Sequence, residues 1–180
     1  MRVFLRSFAA LVILALAVPT AAFAGDKDKD KEDSEEPITK EAELKACGAQ
    51  DKEVKYSVET DKSQHPTPDQ PADKALIYVL RPAMMGMAIQ TRLAVDGDWK
   101  GVNRANNYFF FTLDPGDHYF CSASENHSVM KLKVEAGKTY YVQQHIRMGM
   151  MKARNKIDPM SDEEGKAKLA NAHLSTWKVK

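Results

Sequence analysis

The sequence has few of the features that mark common classes of functional site. It contains only two cysteines, Cys47 and Cys121, and no Cys-x-x-Cys motif. Its five histidines form no His-x-His, His-x3-His or His-Glu-x-x-His spacing, and such spacings are typical of zinc sites. There is no Gly-x-Ser-x-Gly elbow and no glycine-rich phosphate loop. The sequence therefore predicts no catalytic residue, no cofactor and no conventional metal site.

Neither sign of charge dominates the chain. There are 26 lysines and arginines against 25 aspartates and glutamates, which gives a formal net charge of +1 at pH 7. Proteins that bind nucleic acid usually carry a clustered basic face, and no basic cluster stands out along this chain. We therefore expect no nucleic-acid partner.

Long apolar runs are also missing, apart from one short run near the N-terminus. Arg2 and Arg6 precede an apolar run over residues 8–18, and Ala22-Phe23-Ala24 follows it. This order is typical of a secretory signal peptide, and the run is well short of the roughly twenty residues that span a bilayer. We expect cleavage after Ala24 and a periplasmic or secreted protein that does not span the membrane. Retention as an uncleaved anchor is the alternative.

The segment after the signal is rich in charge and poor in apolar side chains. Residues 25–40 read GDKDKDKEDSEEPITK, in which Ile38 is the one large apolar residue. Such a segment cannot bury enough apolar surface to offset the entropy lost on ordering it. The predicted parts of the chain are a signal peptide (1–24), a disordered charged linker (25–45), a β-sandwich domain (46–157), and a C-terminal helix with a tail (158–180).

Short segments with alternating apolar and polar residues dominate the rest of the chain. A period of two is typical of half-buried strands, and turn motifs such as Asp96-Gly97 and Asp114-Pro115-Gly116 separate the segments. The pattern predicts an all-β protein, a single antiparallel β-sandwich of the immunoglobulin or transthyretin-like kind with a short C-terminal helix. The predicted strands are 53–58, 75–81, 89–95, 108–113, 118–123, 129–134 and 139–147.

The C-terminus has a different pattern. Ser161 and Glu164 form a capping box, in which each side chain accepts from a free backbone N–H group at the start of a helix. We expect a helix from there to about His173. Trp177 and Val179 would then form a last strand or pack on an edge.

Both cysteines follow the predicted cleavage point. Two cysteines in an oxidising compartment most often pair, so we expect a Cys47–Cys121 disulfide. On the chain-entropy account it would stabilise the fold by about 4 kcal/mol. A reactive thiol is the alternative, although neither cysteine lies beside an obvious base.

Methionine offers the best candidate for a chemical site. Two clusters of three methionines each follow a predicted strand. They are Met84, Met85 and Met87, and Met148, Met150 and Met151, with His145 close to the second. Thioether sulfur is a soft ligand that suits Cu(I), so a copper site formed by two loops at one end of the sandwich is a hypothesis. Methionine also fills irregular apolar gaps, and packing or an adhesive loop tip is its more common role.

The densest apolar segment is Tyr108–Phe111. Its side chains cannot all point inward, because successive strand residues face opposite ways. Tyr108, Phe110 and Phe120 would lie either on an exposed outer face or beneath the C-terminal helix. Exposed together with Trp99, they would form an apolar patch suited to a protein, peptide or glycan. We expect the helix to cover them.

Several short motifs are shared with a known family. They are Ala46-Cys47-Gly48, Ile77-Tyr78-Val79-Leu80-Arg81-Pro82, Val95-Asp96-Gly97, Leu113-Asp114-Pro115-Gly116-Asp117-His118 and Ala136-Gly137-Lys138-Thr139-Tyr140-Tyr141-Val142. The chain resembles, through them, the exported bacterial proteins grouped as domain of unknown function 2846, which are similar in pattern to transthyretin-like and PEGA-like modules. Because these motifs are strands and turns, the resemblance implies a fold and export, but no catalytic residue.

The sequence thus predicts an exported, non-catalytic β-sandwich that binds an unknown envelope protein or glycan, or acts as an adaptor there. One alternative is a protein that handles copper through its methionine clusters. The other is a hydrolase with an unrecognised site, which would need polar groups that converge in a pocket.

Overall fold

Two β-sheets pack face to face, and each carries a short helix on its outer side. The computed structural model describes residues 39–48, 56–148 and 153–180, all within one unit that covers residues 35–180. The predicted signal peptide and its cleavage point after Ala24 lie outside the described residues. The elements in chain order are α1 (Lys40–Cys47), β1 (Tyr56–Asp61), β2 (Ala75–Arg81), β3 (Thr91–Val95), β4 (Asp98–Asn103), β5 (Asn107–Leu113), β6 (Gly116–Ala123), β7 (His127–Val134), β8 (Thr139–Met148), β9 (Ala153–Met160), α2 (Asp162–Leu169) and β10 (His173–Val179).

The larger sheet has six strands in the order β1-β10-β5-β2-β8-β9, and the smaller has four in the order β4-β3-β6-β7. This arrangement confirms the predicted all-β sandwich with a short C-terminal helix. The larger sheet is mixed, however, because β2 pairs with β8 and β10 pairs with β5 in parallel. Alternation of side chains reveals which residues share a face but not the direction of the neighbouring strand, so the parallel pairs were not predicted.

The main core lies between the two sheets. Strand β2 contributes Ile77 and Val79 to it, and Phe120 of β6 faces them from the smaller sheet. Every residue of β2 is buried, because a second apolar cluster covers its other face. That outer cluster contains Leu76, Tyr78, Leu80, Tyr108, Tyr141 and Ala172, with Phe110 and Leu169 packed against it.

These clusters settle the position of the predicted aromatic patch. Tyr108 and Phe110 lie on the outer face of the larger sheet, in the same cluster as Leu169 of α2, so the helical segment covers them as expected. Phe120 does not join them. It is completely buried between the sheets, because its position in β6 faces inward.

Helix α2 begins at the predicted cap and lies very close to β8. The backbone N–H of Glu164 donates to Ser161 Oγ at 3.3 Å. A Cβ atom added to Gly165 would lie 2.1 Å from Cγ of Tyr141, so only glycine fits there. The helix ends at Leu169, earlier than expected, and the chain continues as β10. Trp177 of this strand packs edge-to-face on Phe109 at 5.3 Å between ring centroids, which ties the C-terminus into the main core.

Helix α1 corrects one sequence expectation. Residues 40–45, predicted as the end of the charged linker, are helical, and the rest of that linker up to residue 38 lies outside the described residues. The backbone N–H of Ala42 donates to Thr39 Oγ1 at 3.2 Å, which caps the helix. Ala46 and Cys47 are buried against Ala94 and Cys121 on the outer face of the smaller sheet.

The predicted disulfide is present and holds α1 in place. Cys47 and Cys121 are bonded, with their Cα atoms 5.0 Å apart. Cys47 is 6% exposed and Cys121 is 1% exposed, so the bond is closed to solvent.

A further finding concerns the membrane: none of the helices in the described segments is long and apolar enough to cross a bilayer.

Reduction of the disulfide should lower the free energy of unfolding by about 2–4 kcal/mol. The reason is that the bond removes freedom from an unfolded chain in which its two residues are 74 positions apart. Urea unfolding with and without reductant measures the difference. A variant with both Cys47 and Cys121 changed to alanine is the control, since reductant should not change its stability. A loss below about 1 kcal/mol in the unaltered protein would contradict the expectation.

Candidate functional site

The directions of the strands place the connecting turns and loops in two groups, one at each end of the sandwich. One end, which we call the motif end, carries the turns at residues 96–97, 114–115 and 135–138. The other, which we call the loop end, carries the β2–β3 loop at residues 82–90, the turns at 104–106 and 124–126, and the last residues of β8.

At the motif end, residues of different shared motifs form hydrogen bonds with one another. Asp96 has a positive φ of 52° and accepts from the backbone N–H of Tyr119 at 2.9 Å. The ring of His118 lies between two acceptors: Nδ1 is 2.6 Å from Asp96 Oδ2, and Nε2 is 2.8 Å from the carbonyl oxygen of Asp114. The side chains of Asp96 and His118 therefore join two turns of the fold.

The Ala46-Cys47-Gly48 motif is part of the same assembly. The backbone N–H of Gly97 donates to the carbonyl oxygen of Ala46 at 3.0 Å. Gly48 has a φ of +76°, and a Cβ atom there would lie 2.6 Å from the carbonyl oxygen of Gly97. These contacts explain why the motifs specify a fold: they dock α1 on the β3–β4 turn.

At the loop end, the layer between the sheets becomes polar. Its buried side chains are those of Thr91, Asn103, Ser122, Gln144 and Asn155. Gln144 links the two sheets, because Oε1 accepts from Asn103 Nδ2 at 3.1 Å while Nε2 donates to Ser122 Oγ at 2.8 Å. Ser122 in turn donates to Asn155 Oδ1 at 2.7 Å. Sequence reasoning missed this network, although a glutamine between the apolar Val142 and Ile146 on one strand face was a signal for it.

Arg81, the last residue of β2, is the most unusual member of this layer. It is completely buried. Its guanidinium donates to the carbonyl oxygens of Met85 at 3.1 Å, Gly86 at 2.6 Å and Ile89. Burial lowers the pKa of Arg81 to about 10, and the nearby charge of Arg104 acts in the same direction. Within the described ranges no carboxylate pairs with Arg81. Backbone carbonyl oxygens of the β2–β3 loop accept from its two terminal nitrogens, whereas the buried Nε has no hydrogen-bond partner there.

The loop that Arg81 holds carries the first methionine cluster. We call residues 84–87 the Met turn. Its chain reverses at Gly86, which has a φ of +66° and packs so closely that an added Cβ atom would lie 3.0 Å from side-chain atoms of Ile146 and Ile89. The side chains of Met84, Met85 and Met87 are 59%, 53% and 60% exposed. The backbone of the turn is thus fixed against β8 while its thioethers face solvent.

Of the second methionine cluster, the structure describes Met148. Strand β8 ends at Met148, at the same end of the sandwich as the Met turn, whereas Met150 and Met151 lie outside the described residues. His145 does not belong with the Met turn. It faces the opposite side of β8 from Ile146, with Nδ1 3.1 Å from Gln143 Nε2 and Nε2 3.4 Å from Asp158 Oδ2. The described residues contain no group of three or more His, Cys, Asp or Glu that could hold a metal.

An open depression lies beside β1. It is lined by Glu59, Thr60, Asp61, Lys62, Ser63 and Thr176. The Asp61 carboxylate already accepts from Ser63 N at 2.8 Å, Ser63 Oγ at 2.6 Å and Gln64 Nε2 at 2.9 Å. Because this carboxylate is engaged within a local turn, the Met turn is the better candidate for binding.

Comparisons with known proteins match part of the chain to a family model. Residues 71–156 match the model of a family described as "Protein of unknown function (DUF2846)". The resemblance predicted from the motifs is thereby confirmed. The match begins before β2 and ends within β9, so it includes both the motif-end turns and the Met turn.

One curated relative is an uncharacterized protein of Haemophilus influenzae (strain ATCC 51907 / DSM 11121 / KW20 / Rd), which is 26% identical over 100 residues. The alignment covers 55% of this chain and 60% of that protein, so the chain spans less than two thirds of the relative's length. No solved structure matches the chain, and the comparison with transthyretin-like modules is not confirmed.

Removal of the Arg81 side chain should release the Met turn. Hydrogen bonds to a charged group are worth about 1.5–3 kcal/mol each, so Arg81→Met should speed hydrogen exchange of the Ile89 amide by about tenfold or more. That amide donates to the carbonyl oxygen of Gly86 at 2.9 Å and reports directly on the turn. Arg104→Met is the matched control and should leave the exchange rate unchanged. Equal rates in the Arg81 variant and the unaltered protein would show that the guanidinium does not fix the loop.

Partial burial of the His145 ring should make the free energy of unfolding depend on pH. Burial lowers the pKa of His145, against a smaller opposing effect of Asp158. Because the unfolded chain then binds the proton at a higher pH than the folded chain, the free energy of unfolding should fall as the pH drops below about 6.5. NMR titration of the ring should give a midpoint below that value. His145→Gln should reduce the slope of stability against pH, and a midpoint at or above about 6.5 would contradict the burial argument.

Proposed function

We propose that the protein is an exported, non-catalytic β-sandwich that binds an envelope protein through the Met turn. One observation carries the proposal: exposed Met84, Met85 and Met87 share a single turn whose backbone is anchored from beneath by buried Arg81. The other exposed large hydrophobic residues of the described chain, Leu44 and Val179, stand apart from one another. Clustered exposed apolar residues are typical of interaction sites, whereas scattered ones are ordinary.

Methionine suits this role because its side chain is flexible and polarizable. Such side chains adapt to irregular apolar surfaces and are frequent at binding surfaces that accept a range of partners. The fixed backbone lowers the entropy lost on binding, since only the side chains must become ordered. The Met turn therefore combines an adaptable surface with a rigid support.

A protein partner is favoured over a glycan by the position of the aromatic residues. Tyr108 and Phe110, which could have formed an exposed aromatic patch, lie in the outer cluster with Leu169. Trp99 packs edge-to-face against Tyr56, with 5.5 Å between ring centroids. Gln144 with Ser122 at the loop end, and Asp96 with His118 at the motif end, are engaged in contacts within the fold, which favours binding over hydrolysis.

Two features support export. The first 24 residues have the order of a secretory signal, and a disulfide persists in oxidising compartments such as the periplasm. The bond between Cys47 and Cys121 is buried and docks a helix, so it acts as part of the fold.

Photo-crosslinking in intact cells tests the proposal. A photoreactive residue at the exposed position Ala88, next to the Met turn, should give a discrete cross-linked protein in the envelope fraction. Replacement of Met84, Met85 and Met87 by serine should abolish that product, because the apolar contact is lost. The captured chain should begin at Gly25.

The matched control places the same photoreactive residue at Leu44, which is 60% exposed but lies on α1. It should give no discrete product. Equal products from both positions, or a product that survives the triple serine replacement, would overturn the Met turn as the binding surface. A chain found uncleaved in the cytoplasm would overturn export.

A further inference from the structure

The Met turn places an unusual number of soft donors in a small space. Three thioethers occupy four consecutive positions, and all of them are more than half exposed. The chain reverses at Gly86, between Met85 and Met87, and the carbonyl oxygen of Gly86 accepts from the backbone N–H of Ile89 at 2.9 Å. Flexible methionine side chains can then converge on one point above the turn.

Several oxygen and nitrogen atoms near the Met turn, which are harder metal ligands than sulfur, are engaged in other contacts. The carbonyl oxygens of Met85 and Gly86 accept hydrogen bonds from Arg81 at 3.1 and 2.6 Å, on the buried side of the turn. His145 faces the other side of β8, where Gln143 and Asp158 engage its ring. Both cysteines form the disulfide, so no thiol competes. Among the described residues, these two carbonyl oxygens and this imidazole are therefore engaged elsewhere, while the three methionines of the turn are exposed.

We propose that the Met turn binds one Cu(I) ion through the sulfur atoms of Met84, Met85 and Met87. Thioethers select Cu(I), whereas carboxylate and carbonyl ligands suit magnesium or calcium and imidazole suits zinc. The fixed backbone favours the site further, because the loop need not be ordered when the ion binds. The inference builds on the proposed function in that it assigns a ligand to the same exposed turn.

The test is a titration of the untagged, disulfide-bonded protein with Cu(I) under anaerobic conditions, in competition with a chromophoric Cu(I) chelator. Ascorbate, which leaves disulfides intact, keeps the copper reduced. We expect saturation at one equivalent of Cu(I) and no saturable binding of Zn²⁺. Replacement of Met84, Met85 and Met87 by leucine keeps the volume and apolar character of each side chain, so the fold should persist.

The triple leucine variant should bind Cu(I) at least about tenfold more weakly, since even groups that merely support metal ligands typically contribute that much. Met130→Leu, which alters a half-buried methionine on β7, is the matched control and should not change the affinity. His145→Gln should also leave it unchanged, because that ring faces away from the turn.

Several results would overturn the inference. These are the absence of saturable Cu(I) binding, unchanged affinity in the triple leucine variant, and a loss of affinity confined to a variant with Met148, Met150 and Met151 replaced by leucine. The outcome is separate from that of the crosslinking experiment. A protein that cross-links through the Met turn but binds no Cu(I) would retain the proposed function without the metal, and the reverse result would retain the metal site alone.

Discussion

The burial of β2 on both faces is the constraint on which the rest of the structure depends. Its inner face places Ile77 and Val79 in the main core, and its outer face places Leu76, Tyr78 and Leu80 beneath α2. A strand in this position must have a neighbour on each edge, which β5 and β8 provide. Because β8 runs parallel to β2, its final residues continue past the end of β2, and the β2–β3 loop fills the space beside them.

The burial of Arg81 has a desolvation cost, and its hydrogen bonds hold the β2–β3 loop. Removing a guanidinium from water costs several kcal/mol, and hydrogen bonds to three carbonyl oxygens return a comparable amount. Its net contribution to stability is therefore small. An apolar side chain would fill the same space without a desolvation cost, but it could not hold the carbonyl groups of the Met turn. Arg81 therefore fixes the conformation of the loop more than it stabilises the core.

Much of this fold could be predicted from the sequence, because alternating side chains and glycine-bearing turns report directly on strands. The disulfide was predicted from two cysteines in a chain that begins with the pattern of a secretory signal. Strand direction could not be predicted, since the alternation reads the same in both directions. Helix α1 was missed because its charged residues resemble a linker, although Thr39 and Gly48 bracket a run of good helix formers. For the candidate site, the sequence indicated the methionines, but only the structure separates His145 from them.

Because the motif end and the Met turn lie at opposite ends of the sandwich, similarity to the family is evidence about the fold and not about the ligand. The shared motifs at the motif end, such as Asp96 with His118, form contacts within the fold and do not depend on the residues of the Met turn. A loop supported by such a scaffold can change its side chains without disturbing the strands that carry it. Similarity in those motifs therefore supports a common fold. The proposed ligands would also require the thioethers of the turn, which lie outside all of the shared motifs, together with Arg81, which belongs to one of them. Binding should accordingly be inferred for a relative only where both of those features are present.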